Sequence, residues 1–330
     1  MLVDPRHLIE EAQPDALATA FDLEFSRTFY PLGFPFELET NSLEVIEAAS
    51  EGWGEFAPAF DAPPVRFCLA VTGETPLLSP RSMFVTREHL MSVYGDAENF
   101  AMFDFERGFG FGSVTHGTAA DHSLLRYRLL TPALMLVEQQ SLAPLHGALI
   151  VNNGSGVMLC GDTLAGKSTL AYAACRAGWT YVTDDGVALV RERSDCFAIG
   201  DYTSIRLRED ARRFFPELAS HLSTVRPNGK ISIEILTRKL PIKTLRGHSV
   251  DHLVFLSRRE SGPASLNRCG PEQALVDWER YRRFGASEVR AAQLACHQRL
   301  LETTSWKLCY SRLPDAIECL NHLVSGHRIA

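Results

Sequence analysis

The stretch GDTLAGKST, residues 161–169, follows an apolar run that ends at Cys160 and precedes the helical pattern TLAYAACRAGW. It satisfies the pattern G-x-x-x-x-G-K-[ST], in which glycines let backbone N–H groups turn inward around phosphate groups. The helix after such a loop points its partly positive N-terminus at the same anion. Because an apolar strand, this loop and a helical pattern follow one another, we predict a nucleotide-phosphate site here.

The residue types in this stretch have separate chemical roles. Lys167 would place a positive charge at the β- and γ-phosphates, and Ser168 would offer a hydroxyl to Mg²⁺, a hard ion that takes oxygen ligands. The predicted phosphate-binding residues are Gly161, Asp162, Thr163, Leu164, Ala165, Gly166, Lys167, Ser168 and Thr169.

A pair of acids follows in YVTDDGVALV, residues 181–190. Two carboxylates at the end of a strand could bind a metal ion and face a substrate hydroxyl. Adjacent strand residues point to opposite faces, so Asp184 and Asp185 share one site only if the strand ends there, which Gly186 favours. A plain Asp-Gly turn is the alternative. His146, just before the first strand of this unit, is a third candidate, although a lone histidine is more often structural.

Alternating apolar residues predict antiparallel strands on both sides of the loop. Residues 100–115 predict a hairpin around Glu106-Arg-Gly108, and the turn NNGS predicts a second hairpin that ends at Cys160. Other predicted elements are a helix near Pro5–Leu23, a helix that begins at Asn41 or Ser42 with one of these side chains as its cap, a strand at 66–73, a strand at 124–130 and a helix at 131–140.

Composition limits the class of protein. The chain has 330 residues, more than one typical domain, and a net charge of −7, which does not favour a nucleic-acid or anionic-membrane surface. No run approaches the roughly 18 apolar residues of a membrane span, and the N-terminus lacks a secretory pattern. The cysteines are scattered without metal spacing. We therefore expect a cytoplasmic protein. The pattern changes near residues 135–142, which predicts an α+β domain over 1–138 and a second domain over 139–330.

The segment from Leu145 to Val190 resembles the C-terminal catalytic core of the bacterial HPr kinase/phosphorylase family. That family has a His-Gly before a strand hairpin, then a G-D-S-x-x-G-K-S loop, a helix, and a strand that ends in Asp-Asp. Its core is similar to that of phosphoenolpyruvate carboxykinase. The resemblance therefore implies an α/β (α+β) fold with the phosphate loop on a mixed, partly antiparallel sheet.

The resemblance also implies roles for single residues. The nucleotide would be ATP, with Mg²⁺ bound by Ser168 and Asp184. Asp185 would be the general base, although the two aspartates could exchange roles, and His146 would lie beside the transferring phosphoryl group. Together with Lys167 these are the expected catalytic residues. The activity implied is phosphorylation of a hydroxyl, a serine of a small protein or peptide, by an enzyme that could form a homo-oligomer.

The chain departs from the family at several points. Where the family has Glu-x-Arg-Gly-Leu-Gly, this chain has a segment from Ser204 to Asp210 in which Glu209 or Asp210 could replace the missing acid. The first 135 residues do not resemble the family's N-terminal domain, so they could recognise the acceptor. The alternatives are a small-molecule kinase and a nucleotide-binding regulatory module without catalysis. The basic pair Arg258-Arg259 is interpreted as solvated charge, with binding of an acidic protein partner as the alternative.

Overall fold

A computed structural model describes residues 22–73, 83–225, 229–270 and 285–326. Helices and strands are mixed along this part of the chain, and the strands form four sheets. The predicted mixed α/β class is therefore confirmed. The helix predicted near Pro5–Leu23 lies almost wholly outside the described residues. Within the described ranges, no helix combines the length and the apolar character that crossing a membrane requires.

The first sheet contains seven strands and mixes both pairing directions. Its order is β1-β2-β3-β7-β6-β5-β4. Strand β3 is parallel to both of its neighbours, β2 and β7, and the other neighbouring pairs are antiparallel. The strands are β1 (Phe25–Phe29), β2 (Phe36–Thr40), β3 (Val65–Val71), β4 (Met83–Arg87), β5 (Leu90–Tyr94), β6 (Phe100–Asp104) and β7 (Phe109–Val114).

The hairpin predicted at 100–115 is confirmed by β6 and β7. Its glycines serve packing: a Cβ on Gly110 would lie 2.5 Å from the Phe103 ring, and one on Gly112 would lie 2.5 Å from the Phe100 carbonyl oxygen. The strand predicted at 66–73 corresponds to β3.

Helices cover one face of this sheet. They are α1 (Leu43–Trp53), α2 (His116–Ala120), α3 (His122–Leu125), a π-helical segment (Arg126–Leu130) and α4 (Thr131–Ser141). Ser42 precedes α1, but its hydroxyl donates to the Glu44 carboxylate and accepts from no backbone N–H of the helix. The side-chain oxygen of Asn41 accepts from the Val71 N–H instead, so the predicted side-chain cap is wrong. The strand predicted at 124–130 is also wrong. Leu125 and Leu129 are buried at the four-residue spacing of a helix, which the seven-residue apolar pattern alone did not separate from a strand.

The remaining strands, in chain order, are β8 (Leu142–His146), β9 (Ala148–Asn152), β10 (Ser155–Cys160), β11 (Thr180–Thr183), β12 (Gly186–Val190), β13 (Phe197–Gly200), β14 (Ser204–Leu207), β15 (Thr224–Val225), β16 (Ile231–Leu236), β17 (Lys243–Thr244), β18 (Gly247–Ser249), β19 (His252–Arg258), β20 (Ser265–Arg268) and β21 (Thr304–Tyr310). The longer helices after residue 142 are α5 (Lys167–Arg176), α6 (Ser287–Leu301) and α7 (Leu313–Val324). Short 3₁₀ segments occur at Pro31–Gly33, Glu209–Arg213, Pro216–Ser220 and Thr237–Lys239.

The second sheet is central and has the order β17-β11-β9-β10-β19-β21-β20. Strand β10 is antiparallel to β9 on one side and parallel to β19 on the other, so the sheet is mixed around the strand that leads into the glycine-rich loop. The predicted hairpin at this position is confirmed. A third, antiparallel sheet has the order β18-β13-β12-β8, and a small fourth sheet has the order β14-β16-β15.

These elements pack as layers. Helices α5 and α7 and the fourth sheet cover one face of the central sheet, and the third sheet and α6 cover the other. Strand β12 is buried on both of its faces: Val187 and Leu189 pack toward the central sheet, while Ala188 and Val190 join the core of the first sheet. The third sheet thus connects the two halves of the molecule, and the loop at residues 161–166 lies at the carboxyl end of β10.

Candidate active site

The glycine-rich loop turns by left-handed backbone conformations. Gly161, Leu164 and Gly166 have φ values of 141°, 77° and 93°. A side chain at Gly166 would be strained, and its Cβ would lie 2.8 Å from the Tyr310 hydroxyl. Leu164 adopts the same region without being glycine and is 68% exposed, so the loop holds a leucine in a sparsely populated conformation at its tip.

Lys167 lies inside the loop. It is buried, and its Nζ donates to the carbonyl oxygens of Gly161 at 2.7 Å and Asp162 at 3.1 Å. Helix α5 begins at this residue. An ammonium group has three donors and bonds more strongly to charged oxygens than to neutral carbonyls. The loop therefore holds a cation at the helix N-terminus, where an anion would bind.

Asp184 is buried where β11 ends. Its carboxylate accepts hydrogen bonds from the Tyr181 hydroxyl at 2.8 Å and from the Arg206 backbone N–H at 3.3 Å. The Ser168 hydroxyl donates to its carbonyl oxygen at 3.3 Å, which joins the start of α5 to the end of β11. Burial raises the pKa of Asp184 to about 6, although the Tyr181 hydrogen bond opposes that rise.

Asp185 pairs with His146 across two strands. The antiparallel register places Gly186 of β12 opposite His146 of β8, and the Gly147 N–H donates to the Asp185 carbonyl oxygen at 3.0 Å. The Nδ1 of His146 lies 3.2 Å from the Asp185 carboxylate, whose side chain is 54% exposed. The chain leaves the central sheet and enters the third sheet at the two aspartates. For that reason both carboxylates face one space although they are adjacent.

A cavity of about 290 Å³ brings these groups together. The sequence-predicted residues that line it are His146, Thr163, Leu164, Gly166, Lys167, Ser168, Thr169, Asp184 and Asp185. Gly161, Asp162 and Ala165 complete the loop behind this lining: the first two accept from Lys167, and the Ala165 carbonyl accepts from the Tyr310 hydroxyl at 3.4 Å.

Basic residues outside the predicted site also line the cavity, namely Arg206, Arg208, Lys230 and Arg258. The interpretation of Arg258 as solvated charge is therefore incomplete. This residue ends β19, which runs parallel to β10, so its guanidinium reaches the loop side of the sheet and lies 5.6 Å from the Phe214 ring centroid. The basic residues at alternate positions 206 and 208 were a usable signal, because alternate residues of a strand share one face.

The structure separates the two acids considered as replacements for the family's glutamate. Asp210 lines the cavity, and its carboxylate lies 3.5 Å from the Arg213 guanidinium. Glu209 is paired with Arg212 at 3.4 Å and does not line the cavity. Of the two, only Asp210 faces the cavity.

The side chains present fit a nucleotide with Mg²⁺. Ser168 and Asp184 offer a hydroxyl and a carboxylate, the hard oxygen ligands that Mg²⁺ binds together with water and phosphate oxygens. A divalent cation at Asp184 would also offset the cost of burying its charge. The described residues contain no cluster of three His, Cys, Asp or Glu side chains that would bind a metal by themselves. Phosphate oxygens and water are the ligands with which Mg²⁺ usually completes its coordination beside one or two protein oxygens.

The chain matches no family model. It also has no match among curated proteins. Among solved structures it is similar to the Hpr(Ser) kinase/phosphatase from Coxiella burnetii, with 15% sequence identity and a TM-score of 0.30, over 56% of this chain and 97% of that chain. A likeness with this TM-score does not establish a function. The stronger evidence is the set of side chains that line the cavity.

Proposed function

We propose that this protein is an ATP- and Mg²⁺-dependent phosphotransferase of the HPr-kinase-like type, which transfers the γ-phosphate to a hydroxyl. One observation carries the proposal: Lys167 of the loop, the buried Asp184 and the Asp185–His146 pair all line one cavity. A protein that only binds nucleotide needs the first of these groups and not the exposed carboxylate with a histidine partner.

Each side chain has a part in the transfer. The loop amides and Lys167 bind the phosphates, and Ser168 and Asp184 hold the metal site. Mg²⁺, when bound, supplies positive charge that neutralises the phosphate oxygens. Asp185 is exposed enough to contact an incoming hydroxyl and to accept its proton. His146 orients that carboxylate and stabilises its charge.

The acceptor we propose is a serine of a small protein or peptide, recognised in part by residues 1–138. This assignment is supported by the resemblance of residues 145–190 to a family that phosphorylates a protein serine. The cavity is open to solvent on the side of Asp185, as its exposed side chain shows, so a serine on a flexible segment could reach it.

The test compares wild type with Asp185→Asn, and with Asp61→Asn as a matched exposed carboxylate outside the cavity. ATP binding and phosphate transfer to peptides, small proteins and water are measured with Mg²⁺. Loss of a general base lowers transfer by about 100-fold or more. We expect Asp185→Asn to lose phosphate transfer by about 100-fold or more and to keep its ATP affinity within about twofold of wild type. Asp61→Asn should resemble wild type in both measurements.

Two results would contradict this function in different ways. Wild type that binds ATP but transfers phosphate to nothing, water included, is a nucleotide-binding module. Full transfer by Asp185→Asn together with none by Asp184→Asn would reverse the roles of the two aspartates.

A further inference from the structure

One wall of the cavity is built from the fourth sheet and not from the glycine-rich loop. We call it the β14–β16 wall and define it by Arg206, Arg208, Lys230 and Ser232, all of which line the cavity. Arg206 lies opposite Glu234 in the antiparallel pairing of β14 with β16, and Leu207 lies opposite Ile233. Continuing this register by one residue places Arg208 opposite Ser232. Alternation along each strand then directs the four polar side chains to one face.

Two polar atoms of this wall, one on Ser232 and one on Arg206, are buried without a hydrogen-bond partner among the described residues. Ser232 is only 7% exposed, and its Oγ has no hydrogen-bond partner among the described residues. The Nε of Arg206 is also buried without one in that part of the chain. Buried polar atoms in folded proteins are nearly always hydrogen-bonded, and each exception needs an explanation. A ligand with oxygen acceptors in the cavity would provide the missing partners.

The two arginines of the wall differ in charge balance. The Arg206 guanidinium lies 3.3 Å from Glu234 and 3.9 Å from Asp201, so its charge is neutralised within the fold. Arg208 is exposed on the cavity side and forms no ion pair with any described residue. Arg208 therefore brings a positive charge that is available to a ligand, beside a buried hydroxyl that is available as a donor.

The wall and the loop flank Asp184 from different elements. The Arg206 N–H of β14 donates to the Asp184 carboxylate, while Ser168 of α5 donates to the Asp184 carbonyl oxygen. Nucleotide phosphates bound by the loop amides and Lys167 would thus leave the wall to the other substrate. We propose that the β14–β16 wall, through Arg208 and Ser232, binds an anionic group of the acceptor, a phosphate or a carboxylate. This inference rests on the proposed function and narrows its acceptor to an anionic hydroxyl compound.

Binding of inorganic phosphate to protein already saturated with Mg²⁺ and a non-hydrolysable ATP analogue tests the wall, because the loop is then occupied. We expect wild type to bind phosphate and Arg208→Gln to bind it at least about tenfold more weakly, the scale of one charge-assisted hydrogen bond. Ser232→Ala should weaken phosphate binding by a smaller factor. Arg290→Gln, an exposed arginine of α6, is the matched control and should bind phosphate like wild type. Affinity for the analogue should stay within about twofold in all three variants.

Other outcomes overturn the inference. If the loaded wild type binds no phosphate, the wall is not an anion site. If Arg208→Gln weakens the analogue and phosphate equally, the wall belongs to the nucleotide. If wild type fails to bind the analogue, the proposed function fails instead. In that case phosphate binding is measured on the nucleotide-free protein. Binding that is lost in Arg208→Gln and kept in Lys167→Ala supports the wall as the anion site. Binding that is kept in Arg208→Gln and lost in Lys167→Ala overturns the inference.

Competition against bound phosphate identifies the source of the anion. Displacement by glycerol 3-phosphate and not by glycerol supports a small phosphorylated acceptor. Displacement by a serine peptide flanked by aspartates, and not by the same peptide with alanines, supports carboxylates of a peptide. Phosphate that is bound but displaced by neither compound is an adventitious ion only, and the acceptor assignment is then wrong.

Discussion

Asp184 is the residue at which the chemistry of the site opposes the stability of the fold. Its side chain is buried and close to the Asp185 carboxylate, and its carboxylate oxygens accept hydrogen bonds from the Tyr181 hydroxyl and the Arg206 backbone N–H. Burial raises its pKa from an ordinary 3.8 to about 6. Such a carboxylate destabilises the metal-free protein when it is ionised, and it becomes useful once a cation lies beside it.

The raised pKa predicts a pH dependence of stability with a definite sign. Between about pH 4 and pH 6 the folded protein holds a proton on Asp184 that the unfolded chain has lost. Stability therefore falls as the pH rises through this window, and stays lower above it. A shift of about 2 pKa units corresponds to about 3 kcal/mol. In Asp184→Asn this contribution is absent.

Urea unfolding of the metal-free wild type and of Asp184→Asn, at pH 4 and at pH 7, measures this pH-dependent contribution to stability. Asp61→Asn is the control. The wild-type free energy of unfolding, relative to that of Asp184→Asn, should drop by up to about 3 kcal/mol between the two pH values. Packing or hydrogen-bond losses in the variant do not depend on pH and cancel in this comparison. A difference that is the same at both pH values would show that Asp184 titrates normally.

At the scale of secondary-structure elements, the close approach of strand β21 constrains which side chains fit in the loop between β10 and α5. Tyr310 ends β21, and its hydroxyl is within 3.4 Å of the Ala165 carbonyl oxygen. Gly166 satisfies two conditions at once, a left-handed φ and the absence of a Cβ that would meet this hydroxyl. Sequence pattern explains the first condition, and only the neighbouring strand explains the second.

Gly166→Ala should therefore cost more stability than a left-handed φ alone. Gly178 has a φ of 103°, and a Cβ there would meet no heavy atom of a non-neighbouring residue within 4 Å, so Gly178→Ala isolates the cost of the backbone conformation, about 1–2 kcal/mol. We expect Gly166→Ala to lose more than that and to lose ATP binding. Tyr310→Phe should restore part of the stability in the double variant, since it removes the contacted oxygen. Equal losses in Gly166→Ala and Gly178→Ala, with no coupling to Tyr310→Phe, would argue against the contact.

Across the whole molecule, the third sheet ties the first sheet to the central sheet. Ile199 of β13 is fully buried in the core of the first sheet, while its neighbour Ala198 packs toward the central sheet. The division into residues 1–138 and 139–330 remains a prediction. A core shared in this way indicates that the two parts do not unfold independently.

Ile199→Ala should lower the free energy of unfolding of the entire molecule by about 2–5 kcal/mol, the usual cost of a large cavity in a core. Calorimetry should show one transition in wild type and in the variant, shifted to lower temperature in the latter. Leu222→Ala, at a leucine that is 86% exposed, is the control and should change little. Two separate transitions, with only one of them shifted, would show that the halves fold as independent domains.

Local features of this protein follow from its amino-acid sequence. The spacing of Gly161, Gly166, Lys167 and Ser168 predicts the loop, because left-handed turns and helix starts have strong local preferences. The NNGS turn predicts its hairpin for the same reason. The seven residues at 124–130 were too few for periodicity to separate helix from strand. In the structure, Leu125 and Leu129 are both buried, at the spacing of a helix.

The groups that face the loop are brought there by long-range packing. Asp184 and Asp185 share a cavity because the chain changes sheets between β11 and β12, and His146 reaches Asp185 through strand register. The β14–β16 wall joins them through packing of the fourth sheet against α5. Contacts of this kind join residues far apart in the chain, and no local preference of either partner encodes them.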